Sequence, residues 1–205
     1  GSHETFSVSD FENICVKHPD ENIDLVAFPI APLIHKVEKS DKKLFYVPLL
    51  MNLIPSEIER SKYSAMEDIV MIGYPNGIWD SVNNYPVIRK GITATHSNVN
   101  WNGKREFLTD IASFPGSSGS PVFLANIGSY IDEHGNTHMG SHRIKLLGVH
   151  YAGEMHTAAG EIRIVVAPTT NIATPITQIP NNIGIALNSS CIVELEQELE
   201  RIAGK

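Results

Sequence analysis

Cysteine, net positive charge and long apolar runs are all scarce in this sequence, and each scarcity excludes a class of protein. Cys15 and Cys191 are the only cysteines among 205 residues, too few for the disulfide framework of a small secreted domain, so we expect reduced thiols. The 16 basic and 23 acidic residues give a net charge of −7, which disfavours binding to nucleic acid or to anionic membranes. No apolar run approaches the roughly 18 residues of a membrane-spanning helix. The composition predicts a soluble globular protein.

A secretory signal is also missing from the visible N-terminus. The opening Gly1-Ser2-His3 is typical of the remnant of an expression tag, so a targeting segment upstream stays open. With two cysteines and no visible signal, the sequence favours a cytoplasmic protein.

Isoleucine and valine dominate the apolar residues, and this predicts an all-β fold. There are 24 Ile and 14 Val against 13 Leu, and β-branched side chains suit a pleated sheet better than a helix. Short apolar runs alternate with Gly, Pro and Asn, a spacing that predicts a β-sandwich or β-barrel. The predicted strands cover residues 23–28, 44–50, 69–72, 87–95, 107–112, 121–125, 144–151 and 161–167.

Two segments carry helical rather than β patterns. Near the C-terminus, Ile192, Leu195, Leu199 and Ile202 recur at helical spacing after two serines that can serve as N-caps, which predicts a C-terminal α-helix. A second, short helix is predicted over residues 55–63, where a proline suits the first turn.

The residues that can carry chemistry crowd around one serine in segment 109–123. Gly116 and Gly119 flank Ser118 and permit backbone conformations in which two N–H groups converge beside its hydroxyl as an oxyanion hole. By composition alone the segment is also compatible with a simple loop of small residues. The α/β-hydrolase elbow is excluded, because Ser120 stands where that motif needs glycine and Pro121 precedes a predicted strand, not a helix.

Read as a whole, residues 116–121 (Gly-Ser-Ser-Gly-Ser-Pro) resemble the Gly-x-Ser-Gly-x-Pro signature of trypsin-like serine proteases. The likeness extends to further segments that resemble bacterial trypsin-like proteases, namely Thr-Asp-Ile-Ala at 109–112, Met-Ile-Gly-Tyr-Pro at 71–75, Val-Ile-Arg-Lys-Gly-Ile at 87–92 and Leu-Gly-Val-His-Tyr-Ala-Gly at 147–153. The resemblance implies a double β-barrel with a C-terminal helix. Residues 1–68 would form part of the first barrel and the connection, 69–188 the second barrel, and 189–205 the helix.

The resemblance also implies the roles of individual residues. Ser118 would be the nucleophile, and the backbone N–H groups of Gly116 and Ser118 would form the oxyanion hole. Asp24, which precedes an apolar strand, would be the triad aspartate. The implied activity is endopeptidase cleavage through an acyl-enzyme, with a peptide or protein as substrate and with neither cofactor nor metal.

The triad histidine is where the sequence departs from the family pattern. It should lie well upstream of Asp24, but only His3 and His18 precede that residue. His18 lies in the approach to the aspartate strand and His3 in the tag remnant, so neither is assigned. Either an upstream segment or a partner supplies the base, or the protein is a trypsin-like fold that binds proteins without turnover.

His150 is the most informative residue for specificity. Its segment Gly-Val-His-Tyr-Ala-Gly resembles the strand of glutamyl endopeptidases and picornavirus-type proteases in which a histidine reads an acidic or amide side chain. Ser113 falls at a position that carries a hydroxyl in the glutamyl group, and Tyr151 follows on the same strand. A preference for Glu or Gln is the resulting hypothesis, against the simpler interpretation of His150 as a half-buried strand residue.

Three further histidines, His134, His138 and His142, are spaced by four. On a helix this spacing would align metal ligands, but Gly135 and Gly140 favour a hairpin loop, where it does not. We therefore interpret the three as a solvated loop.

Overall fold

Six antiparallel strands close into one β-barrel that makes up most of the protein. The computed structural model describes Val8 and residues 10–40, 44–159 and 176–204, without the side chains of 154–159 and 176–181. In chain order the strands are β1 (Val16–Lys17), β2 (Val26–Ala27), β3 (Asp68–Gly73), β4 (Val87–Thr93), β5 (Glu106–Asp110), β6 (Pro121–Asn126), β7 (Ser129–Ile131), β8 (Thr137–Met139), β9 (Arg143–Ala159) and β10 (Ile176–Asn188). The closed barrel has the order β10-β5-β4-β3-β6-β9, and β1-β2 and β7-β8 form separate two-stranded sheets.

The barrel closes around side chains that alternate along its strands. In β3, buried and half-buried residues follow each other with period two, so Ile69 and Met71 point inward and are fully buried. They pack with buried residues from the neighbouring strands and from the segments beside them, namely Tyr63, Phe107, Ile111, Val122, Leu124, Leu147 and Ala186. The β-branched composition therefore forms a closed apolar core, and the mostly-β prediction is confirmed.

Most predicted strands are confirmed, and one is wrong. The runs at 69–72, 87–95, 107–112, 121–125 and 144–151 lie in β3, β4, β5, β6 and β9. The run at 23–28 forms only the two-residue β2, and the run at 161–167 lies outside the described residues. Residues 44–50 form no strand, and Phe45 in this segment is 85% exposed. The segment pairs with no strand in the described part of the chain, so its apolar pattern has no sheet to join.

Four α-helices accompany the strands: α1 (Phe11–Ile14), α2 (Ala31–Glu38), α3 (Glu57–Ser61) and α4 (Ser190–Ile202). The C-terminal helix is confirmed as α4, although Asn188, not Ser189, caps it by accepting a hydrogen bond from Ser190 N at 2.9 Å. The short helix predicted at 55–63 is α3. It begins after a capping box in which Ser56 and Glu59 bond each other's backbone. Helices α1 and α2 were not predicted.

The N-terminal region, which comprises the described residues before β3, attaches to the barrel through a small apolar cluster. Ile23 packs with Leu187 of β10 and Cys191 of α4, and Leu25 and Tyr151 pack against this group. Because Ile23 and Leu25 flank Asp24, their burial fixes that residue at the side of the barrel where Tyr151 lies.

A charged network reinforces this attachment. Arg105 pairs with Glu194 of α4 and, at 3.3 Å, with Asp20. Glu194 also lies 3.5 Å from the Nε2 atom of buried His18, whose Nδ1 accepts a hydrogen bond from Asp20 N at 3.1 Å. The network therefore joins the N-terminal region, the barrel and the C-terminal helix.

The described residues include no helix long and apolar enough to cross a membrane. Cys15 and Cys191 are free thiols, Cys15 half-buried and Cys191 buried. Burial raises the pKa of the Cys191 thiol.

Candidate functional site

Ser118 lies on a tight turn, residues 112–120, that connects β5 to β6 and that we call the nucleophile turn. Gly116 and Gly119 adopt φ values of 83° and 84°, the left-handed region that side chains disfavour. Buried Ser117 ties the turn to the barrel, because its Oγ accepts hydrogen bonds from Phe114 N at 3.3 Å and from Arg89 at 2.8 Å. Ser118 itself is exposed. The two glycines thus allow a turn that presents one serine to solvent.

Backbone N–H groups of the nucleophile turn fall into two sets. Those of Ser117, Gly119 and Ser120 donate to Phe114 O, His150 O and Ser117 O at 2.8–3.1 Å. Those of Gly116 and Ser118 have no acceptor within the described ranges. The two N–H groups predicted for the oxyanion hole are therefore both available to a ligand, as are those of Ala112 and Ser113 at the start of the turn.

The Ser118 hydroxyl donates to a backbone carbonyl. Its Oγ lies 2.9 Å from Tyr151 O, and no imidazole or carboxylate of the described chain contacts it. His18 Nδ1 accepts a hydrogen bond from Asp20 N, and its buried Nε2 lies 3.5 Å from Glu194 without a hydrogen bond in the described structure. His3 lies outside the described residues. A carbonyl accepts a hydrogen bond but cannot take a proton at neutral pH, so this contact alone leaves Ser118 an ordinary alcohol.

Asp24 has an exposed side chain and no hydrogen bond among the described residues. It lies close enough to the Tyr151 phenol to contribute to that group's raised pKa. The structure thus brings Asp24 near the strand that carries His150 and Tyr151, but not into contact with Ser118.

Ser113 and His150, predicted together as pocket residues, form a direct buried pair. Ser113 Oγ lies 2.8 Å from His150 Nε2, and the two residues are 6% and 2% exposed. Burial, and secondarily the charge of Arg89, lowers the pKa of His150 to about 4. The imidazole is therefore neutral at pH 7, with one nitrogen committed to the Ser113 hydroxyl.

The other His150 nitrogen, Nδ1, is buried without a partner in the described structure, and so is Thr109 Oγ1. Both atoms face Gly184 of β10. A Cβ at that position would lie 2.7 Å from Thr109 Oγ1 and 3.1 Å from His150 Nδ1. Two glycines thus make room here, because a Cβ at Gly153 would also crowd Ser113 Oγ, at 2.8 Å. This polar pocket has more hydrogen-bonding capacity than the protein itself uses.

Sequence reasoning had missed Thr109 and Gly184 as members of this pocket. Thr109 is in the segment quoted for the family resemblance, and its period-two spacing from Phe107 within β5 could have indicated an inward side chain. No sequence signal pairs Gly184 with His150, because the contact arises from the register between β9 and β10.

Tyr151 is the extra residue of a β-bulge, since Ala152 pairs with Ile185 and His150 with Ala186. Its phenol donates to Glu106 Oε1 at 2.7 Å. Burial, this hydrogen bond and nearby acidic charge raise the pKa of Tyr151. The side chain is thus held in place on the barrel, and the bulge turns the Tyr151 carbonyl toward Ser118.

The three histidines spaced by four do not converge. They lie on and beside the β7–β8 hairpin, where His138 Nε2 bonds Asp132 at 2.8 Å and stacks on Tyr130. His142 Nδ1 instead accepts a hydrogen bond from Gly128 N at 3.1 Å. Within the described ranges no group of three or more metal-ligating side chains comes together.

The chain matches no protein-family model, and no curated protein matches it. The trypsin-like resemblance therefore stays a prediction that depends on the segments quoted above and on the geometry of the nucleophile turn.

Proposed function

We propose that this protein is a trypsin-like serine endopeptidase that cleaves peptide bonds through an acyl-enzyme on Ser118. One observation carries the proposal: the N–H groups of Gly116 and Ser118 lack acceptors and lie in the same tight turn as the exposed Ser118 hydroxyl. In acyl transfer, such N–H groups stabilise the negative oxygen that develops on the attacked carbonyl, each worth roughly 10²–10³ in turnover.

The reaction follows from these groups. Ser118 Oγ attacks the peptide carbonyl while an imidazole accepts its proton, and the negative oxygen is held by the N–H groups of Gly116 and Ser118. The carbon–nitrogen bond then breaks as the imidazole returns the proton to the amine, and water hydrolyses the ester by the same route. Ser118 must leave Tyr151 O to meet the imidazole.

The proposed base is an imidazole from an upstream segment or from a partner, because the Ser118 hydroxyl contacts Tyr151 O and no described imidazole. Asp24 is available to orient it, because its carboxylate is exposed and makes no hydrogen bond in the described chain. Its flanking residues Ile23 and Leu25 anchor it beside Tyr151, the residue whose carbonyl contacts Ser118. We assign Asp24 the orienting role of a triad carboxylate.

An open strand edge next to Ser118 supports a peptide substrate. Pairing between β6 and β9 ends at Val149, and His150 then bonds Gly119 N and Ser120 O of the nucleophile turn. Beyond it, Ala152 and Gly153 pair only with β10 among the described strands. An extended peptide can add to such an edge through main-chain hydrogen bonds, which would place its carbonyls near Ser118.

The polar pocket supports a preference for Glu or Gln next to the cleaved bond. Ser113, His150 and Thr109 offer a hydroxyl, an imidazole and a second hydroxyl close together, beside Gly153 and Gly184, where a side chain would crowd them. A carboxylate or carboxamide is a suitable partner for these groups, whereas an aliphatic side chain would leave them unpaired. Tyr151 lies next to His150 on the same strand.

The double barrel is part of this proposal. The closed barrel would be the second barrel of a trypsin-like fold, and β1–β2 with the residues around them would belong to the first. The proposed division keeps residues 1–68, 69–188 and 189–205 as the three parts.

A binding module without turnover is the second candidate, and the contact from Ser118 to Tyr151 O favours it. In the described structure the serine hydroxyl is satisfied by that carbonyl and has no base. A protein that uses the open edge of β9 only to hold a peptide would need nothing more.

Covalent labelling separates the two candidates. The full encoded protein, together with any partner that copurifies with it, is incubated with a fluorophosphonate and its intact mass is measured, alongside Ser118→Ala and Ser129→Ala. We expect one adduct on the wild type and on Ser129→Ala, an exposed serine in β7, and none on Ser118→Ala. The isolated chain should label far more slowly, because loss of a triad member costs on the order of 10⁶ in turnover.

Peptidyl phosphonates with Glu, Gln or Leu next to phosphorus then test the pocket. We expect faster labelling with Glu or Gln than with Leu. Absence of any adduct on the full protein would remove the protease proposal and leave the binding module.

A further inference from the structure

Arg89 lies directly behind the nucleophile turn. It belongs to β4, where Ile88 and Lys90 are exposed and Arg89 is half-buried on the opposite face. One guanidinium nitrogen, NH1, donates to Ala112 O at 2.6 Å and to Ser117 Oγ at 2.8 Å. A single cationic group therefore joins the beginning of the turn to the residue immediately before Ser118.

The guanidinium of Arg89 has no counter-ion in the described chain. Its Nε and NH2 atoms are buried without a hydrogen-bond acceptor, and burial lowers the pKa of Arg89. A guanidinium that is partly buried without a counter-ion is unfavourable for folding. An unfavourable charge of this kind is typical of residues that shape a functional site.

The charge of Arg89 also acts on His150. The imidazole is faced by Ser113 of the nucleophile turn, by Thr109 of β5 and by Gly184 of β10, and none of these carries a charge. Among the described groups, Arg89 is the charged residue that disfavours protonation of the ring, in addition to burial. The same side chain thus influences the turn and the polar pocket.

We propose that Arg89 is the positioning residue of the site: it holds the nucleophile turn in the shape that exposes the Gly116 and Ser118 N–H groups, and its charge acts on His150 of the polar pocket. Arg89 does not contact Ser118 Oγ, so it acts through Ser117 and His150. The importance of this role for catalysis rests on the proposed function, whereas the contacts of Arg89 are independent of that function.

NMR spectroscopy of the chain tests the proposal without any need for activity. Arg89→Met removes the charge and both hydrogen bonds. We expect the protection of the Ser117 and Ser120 amides against hydrogen exchange to fall about tenfold, as on loss of a charge-assisted hydrogen bond. We expect the His150 ring to titrate at a pH higher by about 0.5 to 1 unit than in the wild type.

Two further variants separate the two effects. Arg89→Lys keeps the charge and can donate to both acceptors, so His150 should titrate as in the wild type and much of the protection should return. Ser117→Ala keeps Arg89 but removes one acceptor, so protection should fall while the titration of His150 stays unchanged. Lys90→Met, on the exposed face of the same strand, is the control and should change neither.

The proposal is wrong if Arg89→Met changes neither quantity, or if Arg89→Lys shifts the titration of His150 as much as Arg89→Met does. Should Arg89→Met not fold, Arg89→Lys and Ser117→Ala still differ in the expected protection of the turn, which Arg89→Lys largely keeps and Ser117→Ala loses, and equal protection in the two would overturn the proposal. The expected NMR pattern without fluorophosphonate labelling would instead remove the protease function and keep Arg89 as a structural brace of the turn.

Discussion

The closed barrel and the N-terminal region of this protein differ in how far they bury their apolar side chains. In the barrel, strands of five or more residues bury side chains such as Ile69 and Leu124 completely. In the N-terminal region the strands have two residues each, and Phe45 and Val47 are 85% and 71% exposed. The barrel holds Ser118, the N–H groups proposed for the oxyanion hole and the polar pocket, whereas Asp24 is the proposed site residue that lies in the described N-terminal region. Most residues of the proposed site thus lie on the closed barrel, whereas the position of Asp24 depends on how residues 16–27 are attached to it.

The largest expected effect comes from two matched phenylalanine truncations. Phe107→Ala should lower the free energy of unfolding by about 3–5 kcal/mol, because it leaves a cavity in the fully buried barrel core. Phe45→Ala should change it by less than about 0.5 kcal/mol. Urea titration followed by circular dichroism measures both. Equal losses would show that residues 44–50 are packed in solution and would break the comparison.

An intermediate effect is expected from pH, through the buried histidine of the barrel. His150 has a pKa of about 4 in the folded protein against an ordinary 6.5. Below pH 6.5 the unfolded chain takes up the proton first, so stability is lost as the pH falls toward 4, by about 3 kcal/mol. Urea titrations between pH 4 and 7 should show this slope, and His150→Gln should remove most of it.

The exposed His134 supplies the control for this pH dependence. His134→Gln should leave the slope of the wild type unchanged. If His150→Gln also leaves it unchanged, the buried imidazole is not the source of the loss.

The smallest effect is expected where the two regions meet. Arg105→Met removes the ion pairs to Asp20 and Glu194, which are partly exposed and therefore worth about 1 kcal/mol together. Hydrogen exchange at His18 and Ile23 should become about fivefold faster, while the amides of β3 keep their protection. Arg201→Met, which removes an exposed pair within α4, should change neither set. Loss of protection in β3 as well would show that the two regions unfold as one.

Sequence reasoning located the barrel and the candidate nucleophile because both depend on local patterns. Short apolar runs between Gly, Pro and Asn defined β3 and β6, and the glycines around Ser118 indicated its turn. The strand predicted at 44–50 was wrong because an apolar run does not show whether a partner strand exists. The unpaired charge of Arg89 and the room at Gly184 had no local signal, since each arises when strands distant in the chain come together.

Two hydrogen bonds described above make the serine and the pocket a single unit. Gly119 N donates to His150 O at 2.8 Å, and His150 N donates to Ser120 O at 2.9 Å. The backbone of His150 is therefore hydrogen-bonded to both of the residues that follow Ser118. A ligand that shifts one must shift the other, and by thermodynamic linkage occupancy at either position alters affinity at its neighbour by an equal factor.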